Sequence, residues 1–262
     1  MDQQETFVSH LVELRDRLLR ALIAWLLVFA VLFPWARDLY TLLAKPLLAK
    51  LPQGGQMIAT EVVTPFFVPV KVAMLTGFLV ALPYILYQLW AFVAPGLYSH
   101  EKRLVLPLVV SSTVLFAAGM AFAYFLVMPV VFGFITAIAP EGVAVMTDIS
   151  KYLDFVMTLF LAFGITFEVP IAVIVLVRFG VVSIDKLKQA RPYVIVGAFV
   201  IAAIVTPPDV ISQIMLAVPL CLLYEAGIFL ARFFARRAEE GYRPLSDEEM
   251  ERELDRIERG EH

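Results

Sequence analysis

The sequence predicts an all-α integral membrane protein with six transmembrane helices. Three observations carry this reading. Of 262 residues, 61% are hydrophobic and 17% are charged, whereas a soluble domain has about 45–50% apolar and about 25% charged residues. The apolar residues fall in long charge-free runs, as spans require. Lysine and arginine are also distributed unequally between alternate loops. Together these exclude a soluble enzyme, a nucleic-acid-binding domain and a disordered chain.

The expected spans can be taken in order. The first covers about 18–37, its apolar run bounded by Arg20 and Arg37. Before it, Phe7, Leu11, Leu14 and Leu18 recur at helical spacing, as in an amphipathic approach along the interface. Residues 37–68 read as a long loop containing Pro46, Pro52, Gly54, Gly55 and Pro65. The second span, about 69–95, includes Lys71 near its start, and the third covers about 104–137. The fourth, about 152–177, lies between Asp154 and Arg178 and is interrupted by Glu168. The last apolar stretch breaks at Thr206-Pro207-Pro208-Asp209, because paired prolines lack N–H donors and an aspartate is costly in lipid. It divides into two short helices, about 193–205 and 210–230; one long, proline-kinked helix is the rival. Residues 1–231 thus form one polytopic membrane domain.

Residues 232–262 form a charged tail with seven bases and ten acids, which accounts for the net charge of −3. The body is neutral. Sixteen of the 21 Lys and Arg residues fall on the side of the N-terminus, the second and fourth loops and the tail. The other side holds Arg37, Lys45, Lys50, Lys71 and Lys151. The excess places both termini in the cytoplasm. Residues 1–20 carry four acids, and no small-residue cleavage site follows the first apolar run, so no cleavable signal peptide is expected.

Few residues offer chemistry. The three histidines, His10, His100 and His262, match no metalloprotease spacing. There is no nucleophile elbow and no phosphate-binding glycine loop. Cys221 is alone in an apolar run, so no intramolecular disulfide or cysteine metal cluster can form. No catalytic role, metal or cofactor is expected. Glu168 stands out because an acid at a span centre costs roughly 2.5–3.5 kcal/mol on insertion scales. It reads either as an intramembrane polar site for a substrate, a partner helix or a proton, or as a structural hydrogen bond. Pro170 frees a carbonyl close by, at Thr166. Glu13 and Glu101 fall at the cytoplasmic interface beside bases. They read either as local ion pairs or as acceptors for a cationic ligand, and a planar guanidinium suits two carboxylates best. Glu225 is expected to pair with Arg232, and Asp209 to start a helix as a turn residue.

Several motifs, in order along residues 9 to about 230, resemble the TatC family, the core subunit of the twin-arginine protein translocase. They include Ser9-His10-Leu11-Val12-Glu13-Leu14-Arg15, the run from Tyr87 to Tyr98 with Ala94-Pro95-Gly96-Leu97, and Glu101-Lys102-Arg103. Gly119 with Phe122-Ala123-Tyr124-Phe125, the run from Phe163 to Pro170, Arg191-Pro192-Tyr193, Thr206-Pro207-Pro208-Asp209 and Leu216-Ala217-Val218-Pro219 complete the set.

The resemblance implies a concave, glove-like six-helix bundle in the bacterial inner membrane. It implies a receptor and scaffold for folded precursors whose signal peptides carry two adjacent arginines. Glu13 and Glu101 would contact those arginines, with Leu11, Arg15 and Lys102 shaping the site. Glu168 would face the concave side, and the fifth and sixth helices around Pro207 and Met215 would dock partners. Those partners would be the single-span subunits TatA and TatB, in a complex holding several copies of this chain and driven by the proton-motive force. The alternative function is a proton-coupled small-solute transporter using Glu168. It predicts inverted repeats, which the sequence lacks.

Overall fold

The computed structural model describes residues 2–48, 57–93, 105–138, 147–206 and 210–241. Every regular element among them is helical. Helix α1 runs Asp2–Leu32, and a short 3-10 turn at Phe33–Trp35, carrying Pro34, leads into α2, Ala36–Leu48. The following helices are α3, Thr64–Val93, and α4, Val105–Phe122. A wide turn at Ala123–Val127 joins α4 to α5, Met128–Ile138.

The fourth span is built from α6, Ile149–Phe167, and α7, Val169–Arg178. The joint is Glu168, two residues before Pro170, whose ring cannot continue the hydrogen-bond ladder. Gly180 ends α7 at φ 68°, a left-handed conformation that favours glycine. A short α8, Ile184–Gln189, is capped by Ser183, and α9, Arg191–Val205, and α10, Val210–Gly241, follow.

Among the described residues five helical segments are long and apolar enough to cross a membrane, and Arg191–Val205 is a shorter apolar helix. Two expectations need correction. The loop expected at 37–68 begins with α2, because Leu39, Tyr40 and Leu43 share one face that packs on Val68, Val72 and Leu153. The last helix is not short: its apolar segment spans Val210–Phe233, 24 residues. Glu225 and Arg232 interrupt the apolar run, but both are tolerated within a helix. Shortness holds for α9 alone.

The rival kinked helix is ruled out by a contact across the break. Gln213 Nε2 donates to the Phe199 carbonyl at 3.2 Å. These residues lie seven positions either side of Thr206, so α9 and α10 fold back as a hairpin.

The interior is centred on Met128, Val131, Tyr152, Leu159, Phe163 and Leu216, from α5, α6 and α10. Helices pack closely where glycines meet bulk. Gly119 on α4 abuts the Phe163 backbone, and Gly164 on α6 abuts the Phe116 ring. Lipid gives no hydrophobic drive between helices, so such small residues let dispersion contacts hold them. Most of α1 faces outward, with Leu18, Leu27 and Val31 exposed.

A clasp that the sequence reading missed joins the segments at one end of the bundle. Ile58 N–H donates to Thr147 O at 3.0 Å, and Ile149 N–H donates to Ile58 O at 2.9 Å. The Asp148 carboxylate accepts from the Thr60 hydroxyl at 2.7 Å and from the Ser150 amide at 2.8 Å. It therefore caps α6 and holds the neighbouring segment at once.

Candidate functional site

Helix geometry places Glu13 and Arg17 one turn apart on α1. Arg17 donates to a single oxygen, Glu13 Oε1, from Nε at 2.8 Å and from Nη2 at 2.6 Å. A hollow of about 350 Å³ lies here, lined by Ser9, Val12, Glu13, Asp16, Arg17 and Arg20. Arg15 turns to Asp16 at 2.8 Å, and Leu11 is exposed. The His10 ring stacks on Phe92 with centroids 4.4 Å apart, holding the start of α1 against the end of α3. Glu101, Lys102, Pro207 and Asp209 lie outside the described residues. The local ion pair is one of the two readings that the sequence offers for Glu13; the sequence analysis does not single out Arg17 as the partner, although the i, i+4 spacing points to it.

Glu168 lies at the joint of α6 and α7, half-buried. Its Oε1 is buried with no hydrogen-bond partner among the described residues, as is Gln88 Oε1. The Ser112 hydroxyl lies against the same carboxyl group. Ser112 is fully buried and accepts from Trp90 Nε1 at 3.0 Å. Three helical segments thus contribute to one polar path, Trp90–Ser112–Glu168, inside an apolar bundle. Buried polar atoms without partners are costly. Trp90 belongs to the Tyr87–Tyr98 motif, but nothing in the sequence links it or Ser112 to Glu168, because a tryptophan and a serine in apolar runs fit many roles.

Met215 is half-buried and packs against the main core. Ile204, Val210, Ile214 and Val218 are among the exposed apolar residues of the α9–α10 hairpin. Glu225 pairs with Arg191 at 2.6 Å, where the sequence reading paired it with Arg232. The correction follows from tertiary packing: the start of α9 comes alongside α10, 34 residues away in sequence. At the other end of the bundle, Lys71 and Asp154 form an ion pair at 2.8 Å between α3 and α6. Among the described residues no cluster of three or more His, Cys, Asp or Glu side chains is placed to hold a metal ion.

The fold defines a helical, multi-pass membrane protein, and its described carboxylates Glu13, Asp154 and Glu225 each meet a basic side chain of the chain itself. Residues 9–219 match the family model of the Sec-independent protein translocase protein TatC. The chain is 51% identical to the Haemophilus influenzae Sec-independent protein translocase protein TatC over 248 residues, covering 95% of this chain and 97% of that one. It is 52% identical to the Escherichia coli K12 protein of the same name over 234 residues, covering 89% and 91%. A crystal structure of the twin-arginine translocase receptor TatC superposes with a TM-score of 0.76 at 41% identity, covering 86% of this chain and 98% of that one. The chain belongs to the TatC family and is a protein translocase component.

Proposed function

We propose that this chain is the receptor and scaffold subunit of a twin-arginine protein translocase, recognising diarginine signal peptides and nucleating assembly for export of folded proteins. One observation carries the proposal: Glu13 already accepts two N–H groups of a guanidinium, that of Arg17. A signal arginine would replace Arg17 there with the same fork geometry. Glu101 would take the second arginine, while Leu11, Arg15 and Lys102 shape the surface.

The chain would cross the bacterial inner membrane six times within residues 1–231, with both termini and the 232–262 tail in the cytoplasm. The Lys and Arg distribution supports this orientation. Glu168, with an unpartnered buried oxygen, would meet the signal after its apolar segment enters the bundle. TatA and TatB would dock along the α9–α10 hairpin around Pro207 and Met215. Several copies would assemble, and the proton-motive force would drive transport. Family membership gives the small-solute transporter no support.

The test is export of a folded reporter behind a diarginine signal, with signal crosslinking read in parallel. Glu13→Ala and Glu101→Ala should each reduce both. If both variants export and crosslink like the parent chain, the recognition role is wrong.

A further inference from the structure

A groove of about 670 Å³ opens between α1, α3 and α6. That lies within the roughly 300–1,000 Å³ typical of small-molecule sites. Its walls are apolar, formed by side chains that include Leu18, Trp25, Phe78, Ile85, Met157 and Leu161. The Trp25 indole N–H is already committed to the Met74 carbonyl at 2.9 Å, so that wall asks nothing polar of an occupant. The groove's charged residues are Lys71 and Asp154, paired at 2.8 Å yet with side chains 41% and 51% exposed.

The depth of this pair matters. Lys71 precedes the end of α3 at Val93 by 22 residues, and Asp154 precedes Arg178 by 24. At a 1.5 Å rise these are about 33 and 36 Å of helix, against a hydrocarbon core of about 30 Å. The pair therefore sits at the membrane interface, on the side opposite Glu13. From Lys71 the groove descends to Ile85, about 21 Å along α3, and a leaflet's acyl region is about 15 Å deep.

We propose that this groove binds a zwitterionic aminophospholipid, with one acyl chain along the apolar wall and the headgroup at the ion pair. The lipid phosphate accepts from the Lys71 ammonium, and the lipid ammonium donates to the Asp154 carboxylate. Each group has capacity for this beyond the pair itself, since an ammonium offers three donors and a carboxylate about four acceptor sites. A purely anionic headgroup would meet Lys71 but be repelled by Asp154. The pair as a helix–helix tie alone explains cohesion, but not an apolar groove ending at both signs of charge.

The test uses the full chain purified in detergent with equal amounts of phosphatidylethanolamine and phosphatidylglycerol of matched acyl chains. Retained lipid is read by native mass spectrometry. The expected result is retention of phosphatidylethanolamine by about five-fold over phosphatidylglycerol, the scale a half-exposed ionic contact supplies. Asp154→Lys should reverse the preference, and Leu161→Trp should lower retention of both. Equal retention by the parent chain overturns the proposal without any variant, as does a preference that Asp154→Lys leaves unchanged. A Leu161→Cys chain that crosslinks to a second copy or to an added signal peptide, with no phospholipid retained, assigns the groove to that occupant instead. Neither readout depends on export, so a failure here leaves the receptor reading untouched.

Discussion

Arg17 closes on Glu13 through Nε at 2.8 Å and Nη2 at 2.6 Å, both on one carboxylate oxygen. A cationic ligand for Glu13 therefore competes with an internal guanidinium for that oxygen or shares the carboxylate with it. Arg17→Ala is expected to tighten binding of a diarginine peptide a few-fold, because a partly exposed pair of this kind is worth up to about 1 kcal/mol. Glu13→Ala should weaken it. Fluorescence anisotropy with a labelled peptide decides this, and unchanged affinity in both variants would remove Glu13 from the binding surface.

The contact between Gly119 and the Phe163 backbone sets the spacing of α4 and α6. A β-carbon at Gly119 would overlap the Phe163 carbonyl and press on the Phe167 ring. Gly119→Ala is expected to destabilise the chain by about 1–3 kcal/mol, as overpacking does. Gly197→Ala, in open space, is the control and should be neutral or slightly stabilising. Thermal unfolding in detergent separates the two.

Under the proposed function, Glu168 is retained for its role at a cost to stability. Removing its unpartnered carboxyl oxygen should relieve a desolvation penalty of about 1–3 kcal/mol. Glu168→Leu is therefore expected to raise Tm while abolishing export. A variant that unfolds earlier than the parent would show that the Ser112 contact stabilises the fold more than the buried carboxyl costs it.

The Asp148 clasp is expected to depend on pH. The Thr60 hydroxyl first, then the Lys151 amide, and more weakly the Thr60 and Ser150 amides, lower the Asp148 pKa to about 2 from an ordinary 3.8, against an opposing effect of desolvation. A depressed folded value means the contribution is complete above the unfolded pKa and is lost as pH falls through the folded one. Residues 57–60 and 147–151 should therefore open between about pH 4 and pH 2. Amide exchange, corrected for intrinsic rate, measures the opening, and Asp148→Asn should exchange quickly at both ends of that range.

How much of the site was legible depended on how local its signals were. Glu168 was visible because a lone acid in an apolar run is anomalous without any knowledge of its neighbours. The break at Thr206 was equally plain, since proline chemistry acts within a few residues. Glu225 was misassigned because its partner Arg191 is near only after α9 and α10 fold into a hairpin. The helix at 36–48 was missed because its prolines and glycines downstream masked a periodic stretch upstream.

Composition and the spacing of charges thus determined the class of protein, the apolar runs and the residues too costly to be incidental. Those are one-dimensional properties, set by the free energy of transferring each run into lipid. The tertiary structure alone decided that Arg191 meets Glu225, that Trp90 and Ser112 lead to Glu168, and that Lys71 meets Asp154 at the mouth of a groove. Each of these depends on side-chain direction and on which helices become neighbours. In lipid that choice is made by close packing at glycines such as Gly119 and Gly164 and by a few polar contacts, none of which leaves a periodic trace in the sequence.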